Sequence, residues 1–166
     1  MTLAYYLKRR DIKYKFNKVL EKNKRKYKKM GGRGASSGIS KKRNVYGSQF
    51  HAVKDSNGKA LVSGNVKFIQ SNSRDSESLL ETMTKGRVYA LTGGDDLIKI
   101  VYFDKENKHV KEINFGHKHA GLDPHVHHGY FHNENDGKKG ATRLTKEEKK
   151  MVESVKKVWH AYLSRR

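Results

Sequence analysis

The hydrophobic period changes along this chain, and the changes divide it. In residues 1–30, Tyr5, Ile12, Phe16, Val19, Leu20, Tyr27 and Met30 recur at spacings of three, four and seven among lysines and arginines. That spacing predicts a basic amphipathic helix. Gly31-Gly-Arg-Gly-Ala-Ser-Ser-Gly38 then breaks the period and reads as a flexible joint, continued to residue 44 by Lys41, Lys42 and Arg43. From Val45 short strand-like runs replace the helical period. Tyr46–Lys54 and Ala60–Gln70 flank Asp55-Ser-Asn-Gly58 and predict a hairpin. Residues 75–86 predict a short helix, with Asp75 as cap, a Leu79/Leu80/Met83 face and Gly86 as terminator.

Strands are then predicted over 87–92, 97–103 and 109–115, joined by Gly93-Gly-Asp-Asp96 and Asp104-Lys-Glu-Asn-Lys108. Such turn residues favour hairpins, so the three form an antiparallel meander. After a polar loop over 133–143, Thr145-Lys-Glu-Glu148 fits a capping box, in which the Thr hydroxyl and the Glu carboxylate each satisfy the other's backbone N–H. Met151, Val152, Val155, Val158, Trp159 and Tyr162 follow on one helical face, with Trp159 the expected core anchor. The expected fold is α+β: a basic arm (1–30), a Gly/Ser/Lys-rich linker (31–44), and a domain over 45–166 with a long amphipathic C-terminal helix.

Charge adds a second division. Residues 1–50 carry 16 Lys and Arg against 2 acids, residues 51–135 carry 11 of each, and residues 136–166 carry 10 against 4. The net charge of +20 therefore sits at the two ends. A polyanionic partner fits this arrangement, because Lys and Arg release the counterions condensed on nucleic acid. The expected phosphate-contacting residues are Lys8, Arg9, Arg10, Lys24, Arg25, Lys26, Lys28, Lys29, Arg33, Lys41, Lys42, Arg43, Arg87, Lys149, Lys150, Lys156 and Lys157. The glycine run lacks the spacing of a P-loop and no Gly-Lys-Ser/Thr follows it. With no cysteine, disulfides and thiolate metal sites are excluded. No apolar run approaches the roughly 20 residues that span a bilayer, and the N-terminus places apolar residues before its charges, so no membrane partner is expected and a soluble intracellular or virion protein is.

The neutral middle holds the candidate chemistry. His117, His119, His125, His127, His128 and His132 lie between Phe115 and Asn133, around the lone proline, Pro124. Three uses of such a cluster stay open. His117/His119 and His125/His127 are i, i+2 pairs, whose side chains share a side in extended backbone, and could ligate a zinc-class ion with Asp123, Glu134 or Asp136 as oxygen donors. Alternatively, His125, His127 and Tyr130, faced by His117 or His119, could cleave RNA by metal-free acid–base chemistry with Arg87 or Lys99 on the phosphate. The imidazoles could also serve hydrogen bonding and packing alone. His51, His109 and His160 are expected at the surface or core edge.

Two stretches resemble proteins of a known kind. Gly31–Gly38 after a Lys-rich helix, and Asp123-Pro-His-Val-His-His-Gly-Tyr-Phe-His-Asn-Glu134 followed by Lys139-Gly-Ala-Thr-Arg-Leu-Thr-Lys-Glu-Glu148, are similar to segments of minor head or minor structural proteins of tailed phages and prophages of Gram-positive bacteria. The resemblance implies a virion protein in the head interior or near the portal, made in the host cytoplasm, with capsid or portal proteins as partners and packaged or ejected DNA as ligand. The run from Asp75 to Phe131 also resembles the fold of barnase-, EndoU-, colicin- and RelE-type ribonucleases, which implies a nuclease acting through the histidine cluster. A structural connector between capsid and portal subunits is the further alternative.

Overall fold

A computed structural model describes residues 49–72, 78–82, 84–132 and 134–166. The basic helix expected over 1–30 and the linker expected over 31–44 lie outside them. The described residues form an α+β unit: a mixed seven-stranded sheet with one long helix on one face. Its strands are β1 (Phe50–Ala52), β2 (Val62–Ser63), β3 (Val66–Ser71), β4 (Val88–Gly93), β5 (Asp96–Phe103), β6 (His109–Asn114) and β7 (His125–His128). The helix is α1 (Lys146–Leu163). The order runs β1-β3-β4-β5-β6-β7, with β2 also on β3. No helix among the described residues is long and apolar enough to cross a membrane.

The turns form where the sequence predicts them, and two aspartates use the same device. Asp55 Oδ1 accepts from the backbone N–H of Asn57 (3.0 Å) and of Lys59 (2.9 Å). Asp104 Oδ1 accepts likewise from Glu106 (2.9 Å) and Lys108 (2.8 Å). In both, a side chain satisfies amides that the reversing chain leaves without partners. The meander β4-β5-β6 is antiparallel as expected, and β7 extends it.

Three expectations are corrected. The run 60–70 is not one strand but β2 and β3, folded on each other at Gly64 and Asn65. The sheet is not wholly antiparallel, because β3 and β4 run parallel. The described part of 75–86 is not helical. Glu81 bridges Lys108, the Leu80 carbonyl accepts from His109 N–H (2.8 Å), and Thr82 N–H donates to Asn107 O (2.9 Å). Pairing with the β5–β6 turn takes up the backbone groups that a helix would have used on itself, and tertiary contact overrides a weak local preference.

Alternation along the strands gives the sheet two unlike faces. Val66, Phe68, Val88, Ala90, Ile100, Ile113 and Val126 are buried with Val152, Val155 and Trp159 of α1. Trp159 stacks on Phe68 at 5.7 Å between centroids and donates its indole N–H to Asp95 O at 2.7 Å. On the opposite face, Phe50, Ile69, Tyr89, Val101 and Phe103 pack with Leu79. Beyond β5 that second face turns polar, and there the candidate site lies.

The helix start carries the predicted capping box. Glu148 N–H donates to Thr145 Oγ1 (3.2 Å), and Glu148 Oε2 accepts from Thr145 N–H (2.8 Å). The other carboxylate oxygen takes the Lys111 ammonium from β6, tying α1 to the sheet. Burial alone would raise the Glu148 pKa, but Lys111 and the Thr145 N–H outweigh it and hold the carboxyl below its usual value. A depressed acid stabilises the fold above its unfolded pKa, and that contribution is lost as pH falls through the folded value. Glu148→Gln should therefore destabilise the protein by about 1–2 kcal/mol at neutral pH. In denaturant titrations the gap from wild type should close as pH drops below about 4.

Candidate functional site

Strand alternation sets the site's floor. In β6 Ile113 faces the helix, so Glu112 and Asn114 face the other way; in β7 Val126 faces the helix, so His125 and His127 do not. Register then places Glu112 opposite His127 and Asn114 opposite His125, with Lys99 of β5 beside Asn114. A row of basic, acidic and amide side chains results, on the sheet face that α1 leaves uncovered.

Glu112 is the hub. Its Oε2 lies 2.8 Å from Lys99 Nζ and 3.6 Å from His109 Nε2, the latter longer than a hydrogen bond. Oε1 accepts from Asn114 Nδ2 and His132 Nδ1, both at 3.1 Å. Burial would raise its pKa, but the pull of His109, Lys99 and Asn114 prevails and keeps the carboxyl well below the ordinary carboxylate range. Glu112 is thus an anion throughout the neutral range. His109 was expected at a surface or core edge; it is buried here, with Nδ1 on Tyr130 O at 3.1 Å.

A second buried carboxylate organises the histidines of β7. Asp136 takes His127 Nδ1 on Oδ2 (2.9 Å), and on Oδ1 it takes both the backbone N–H (3.0 Å) and Nδ1 (2.8 Å) of His128. Burial opposes its ionisation, yet the bonds from His128 and His127 keep its pKa below the usual value. His127 is itself held below the ordinary histidine pKa by burial, with Asp136 pulling the other way. It is therefore neutral near pH 7, and the bond to Asp136 assigns its proton to Nδ1. The lone pair sits on Nε2, which is buried and has no hydrogen-bond partner.

The other imidazoles cluster with the His127 and His125 rings. His127 contacts the His132 ring at 4.0 Å between centroids, the His125 ring at 4.8 Å and the His119 ring at 5.0 Å. His125 also meets His117 at 4.8 Å and His119 at 5.5 Å. The ligand nitrogens of His119, His127 and His132 lie within 4.8 Å of one another, a group that could hold a metal ion. Two of these three rings have a carboxylate behind them, Asp136 for His127 and Glu112 for His132, and such partners fix tautomer and orientation in metal centres. His125 is fully buried and neither ring nitrogen is hydrogen-bonded. Burial first, then the neighbouring His127, His117 and His119, lowers its pKa, with the Leu122 carbonyl offsetting this in part.

The expected metal set His117, His119, His125 and His127 is thus brought into one cluster, but the tight group exchanges His117 and His125 for His132. His132 arrives because the chain reverses after β7. Gly129 adopts φ +114°, and a Cβ there would stand 2.6 Å from Glu134 Cβ. Glu134 Oε2 closes the turn by accepting from Tyr130 N–H (2.7 Å) and Phe131 N–H (3.1 Å). Glu134 and Asp136 therefore act behind the histidines, while Asp123 accepts from Gly116 N–H at 3.2 Å. Tyr130 donates its hydroxyl to Glu81 Oε1 at 3.3 Å and lines a cavity beside Glu112.

That cavity, of about 390 Å³, is also lined by Lys99, His109, Asn114, His117 and His132. Lys99, named from the sequence as a phosphate ligand, is therefore in the site; Arg87, half-buried before β4, is not among the lining residues. Lys149, Lys150, Lys156 and Lys157 are exposed on α1, and Lys156 Nζ lies 5.2 Å from the Phe115 ring centroid. Lys8, Arg9, Arg10, Lys24, Arg25, Lys26, Lys28, Lys29, Arg33, Lys41, Lys42 and Arg43 lie outside the described residues. Comparison with known protein families, with curated proteins and with solved structures finds no match to this chain.

Because the reversal at Gly129 carries His132 to His127, Gly129→Ala should strain the turn and pull the cluster apart. The expected stability loss is about 1–3 kcal/mol. Histidine side-chain NMR resonances should report it, with His132 and His127 shifting most and the exposed His51 and His160 unmoved.

Proposed function

We propose that the chain is a nucleic-acid-binding protein whose folded unit cleaves phosphodiesters, with a zinc-class ion held by His119, His127 and His132. The observation that carries this reading is the buried, unpartnered Nε2 of His127. Leaving a buried polar atom unsatisfied costs about 1–3 kcal/mol, and a neutral imidazole lone pair facing two further imidazoles is what such an ion binds. His119, His127 and His132 would supply three ligands and leave a fourth position open, and an ion held there would supply an activated water nucleophile near neutral pH. His132 is exposed and lines the cavity, so one of the three residues that would hold the ion borders the space a substrate would occupy. Lys99 and Glu112 stand on the cavity wall, where an ammonium can meet phosphate charge and a carboxylate can steer His132.

The polyanion is held by charge. The net of +20 is concentrated at the two ends of the chain, and the exposed lysines of α1 are part of that provision. The setting we propose is the phage virion, in the head or near the portal, where resemblance to minor head proteins supplies both the nucleic acid and the capsid partners.

A metal-free version of the same reaction has one observation in its favour. Glu112, Lys99, His109 and His132 already form a constellation of ionisable groups able to move protons and hold phosphate without an ion. One experiment separates the two. Purified protein is incubated with labelled RNA and DNA, with and without a chelator. On the metal reading, cleavage stops with chelator and returns with zinc, and His127→Ala removes it. Asp136→Asn should weaken metal affinity about 10–100-fold while the protein stays folded. Cleavage that ignores the chelator but vanishes in Glu112→Gln selects the metal-free version, and no cleavage of either polymer sinks both.

Binding has its own test. Affinity for nucleic acid should fall steeply between low and moderate salt, and removing residues 1–43 should flatten that slope and abolish most binding. An unchanged salt slope in the truncated protein would refute the role given to the N-terminal charges.

A further inference from the structure

The cavity is lined by apolar as well as charged residues, and one of the apolar ones sits at a break in the sheet pairing. Pairing of β4 with β5 runs Leu91 opposite Lys99 and then Thr92 opposite Leu97, so Ile98 is skipped. A bulge of this kind re-aims a side chain. Ile98 packs over Gly93, where an added Cβ would stand 2.6 Å from Ile98 Cδ1, and it remains 43 % exposed. Leu80 lines the cavity too, with the buried Leu79 behind it in the core, and Lys99, Asn114 and His132 are among its polar lining. Ile98 and Leu80 beside the charged side chains give the cavity the mixed apolar and polar lining of a small-ligand pocket.

We infer that this cavity takes one unpaired nucleobase, so that the polymer acted on is single-stranded. A volume of about 390 Å³ falls within the range of small-ligand pockets and suits a single nucleotide. Inside a duplex the bases are stacked and paired, and none can reach into a recessed cavity without leaving the stack. A base has a flat apolar face for Ile98 and Leu80 and a polar edge for the Asn114 amide. Its own phosphate then points to Lys99 and His132. Single strands are recognised in this way by proteins that combine a basic track with apolar platforms. The inference deepens the phosphodiester-cleaving reading and rests on it for the identity of the ligand, but not for its test.

The test uses the full chain and short RNA and DNA strands carrying one photoreactive thio-substituted base, with cross-linked peptides mapped by mass spectrometry. Cross-links are expected at Leu80 and Ile98. Unlabelled single strand should compete for them, and the same strand annealed to its complement should not. Ile98→Ala, at a partly exposed position where folding is preserved, should lower cross-link yield about tenfold, the order expected for losing apolar contact in a pocket. Cross-links confined to residues 1–43 and α1, equal competition by the duplex, or an Ile98→Asp variant that cross-links like wild type would each overturn the inference. Cross-linking in the cavity without cleavage of any strand keeps the base pocket and removes the cleavage reading. Cleavage with cross-links elsewhere does the reverse.

Discussion

The hydrogen bond from His127 to Asp136 fixes more of this molecule than any other single contact. It places the imidazole proton on Nδ1 and leaves a lone pair on a nitrogen with nothing to bind. The same carboxylate grips the backbone and ring of His128, so the chain after β7 is held where it must turn back. That turn delivers His132 to His127, and His132 in turn reaches Glu112. One buried anion thereby sets a tautomer, a loop and a neighbour. Buried carboxylates are tolerable only when every oxygen is answered, and here the answers all come from the residues the site needs.

Division of labour between the sheet faces follows from alternation. The face under α1 is apolar from Val66 to Val126 and anchored by Trp159, which supplies stability without involving any charged group of the site. The other face is apolar near β3 and β4 and becomes polar at β6 and β7. Polar residues can be buried there because they find partners, Glu112 with Lys99 on the adjacent strand and His127 with Asp136 in the loop after β7. The sheet edge thus carries chemistry that its centre could not accommodate.

Much of this was legible because it is local. The capping box at Thr145 and Glu148, the Asp55 and Asp104 turns and the α1 stripe all depend on residues within a few positions of each other, which is the range a periodic reading covers. Likewise, the i, i+2 spacing of His125 and His127 placed both on one face correctly. What escaped depends on distant partners. Residues 78–82 have the leucines of a helix, but Thr82 N–H donates to Asn107 and the Leu80 carbonyl accepts from His109, and no window of sequence contains that pairing. Glu112 gave only a faint sign, an acid at an inward position between Val110 and Ile113. His132 lay beyond any strand period and reaches the cluster through the conformation of Gly129.

His125 sharpens the case for a ligand in this region. It is wholly enclosed, neutral and without a hydrogen bond at either nitrogen, and it touches His117, His119 and His127. A residue serving packing alone would be better as leucine or phenylalanine, which bury similar volume with no polar atom to strand. His125 and His127 on one strand together strand three ring nitrogens and multiply that penalty, and His109 Nε2 on the neighbouring strand is buried without a hydrogen-bond partner as well. Marginal stability makes such a concentration hard to keep unless something recovers it. Among the described residues the cluster is the place where the fold is poorest in internal partners, and it borders a cavity lined by charged and apolar residues. Binding at the histidines is therefore the simplest physical reason for the arrangement. Chemistry on a phosphodiester is what the surrounding charges are suited to add.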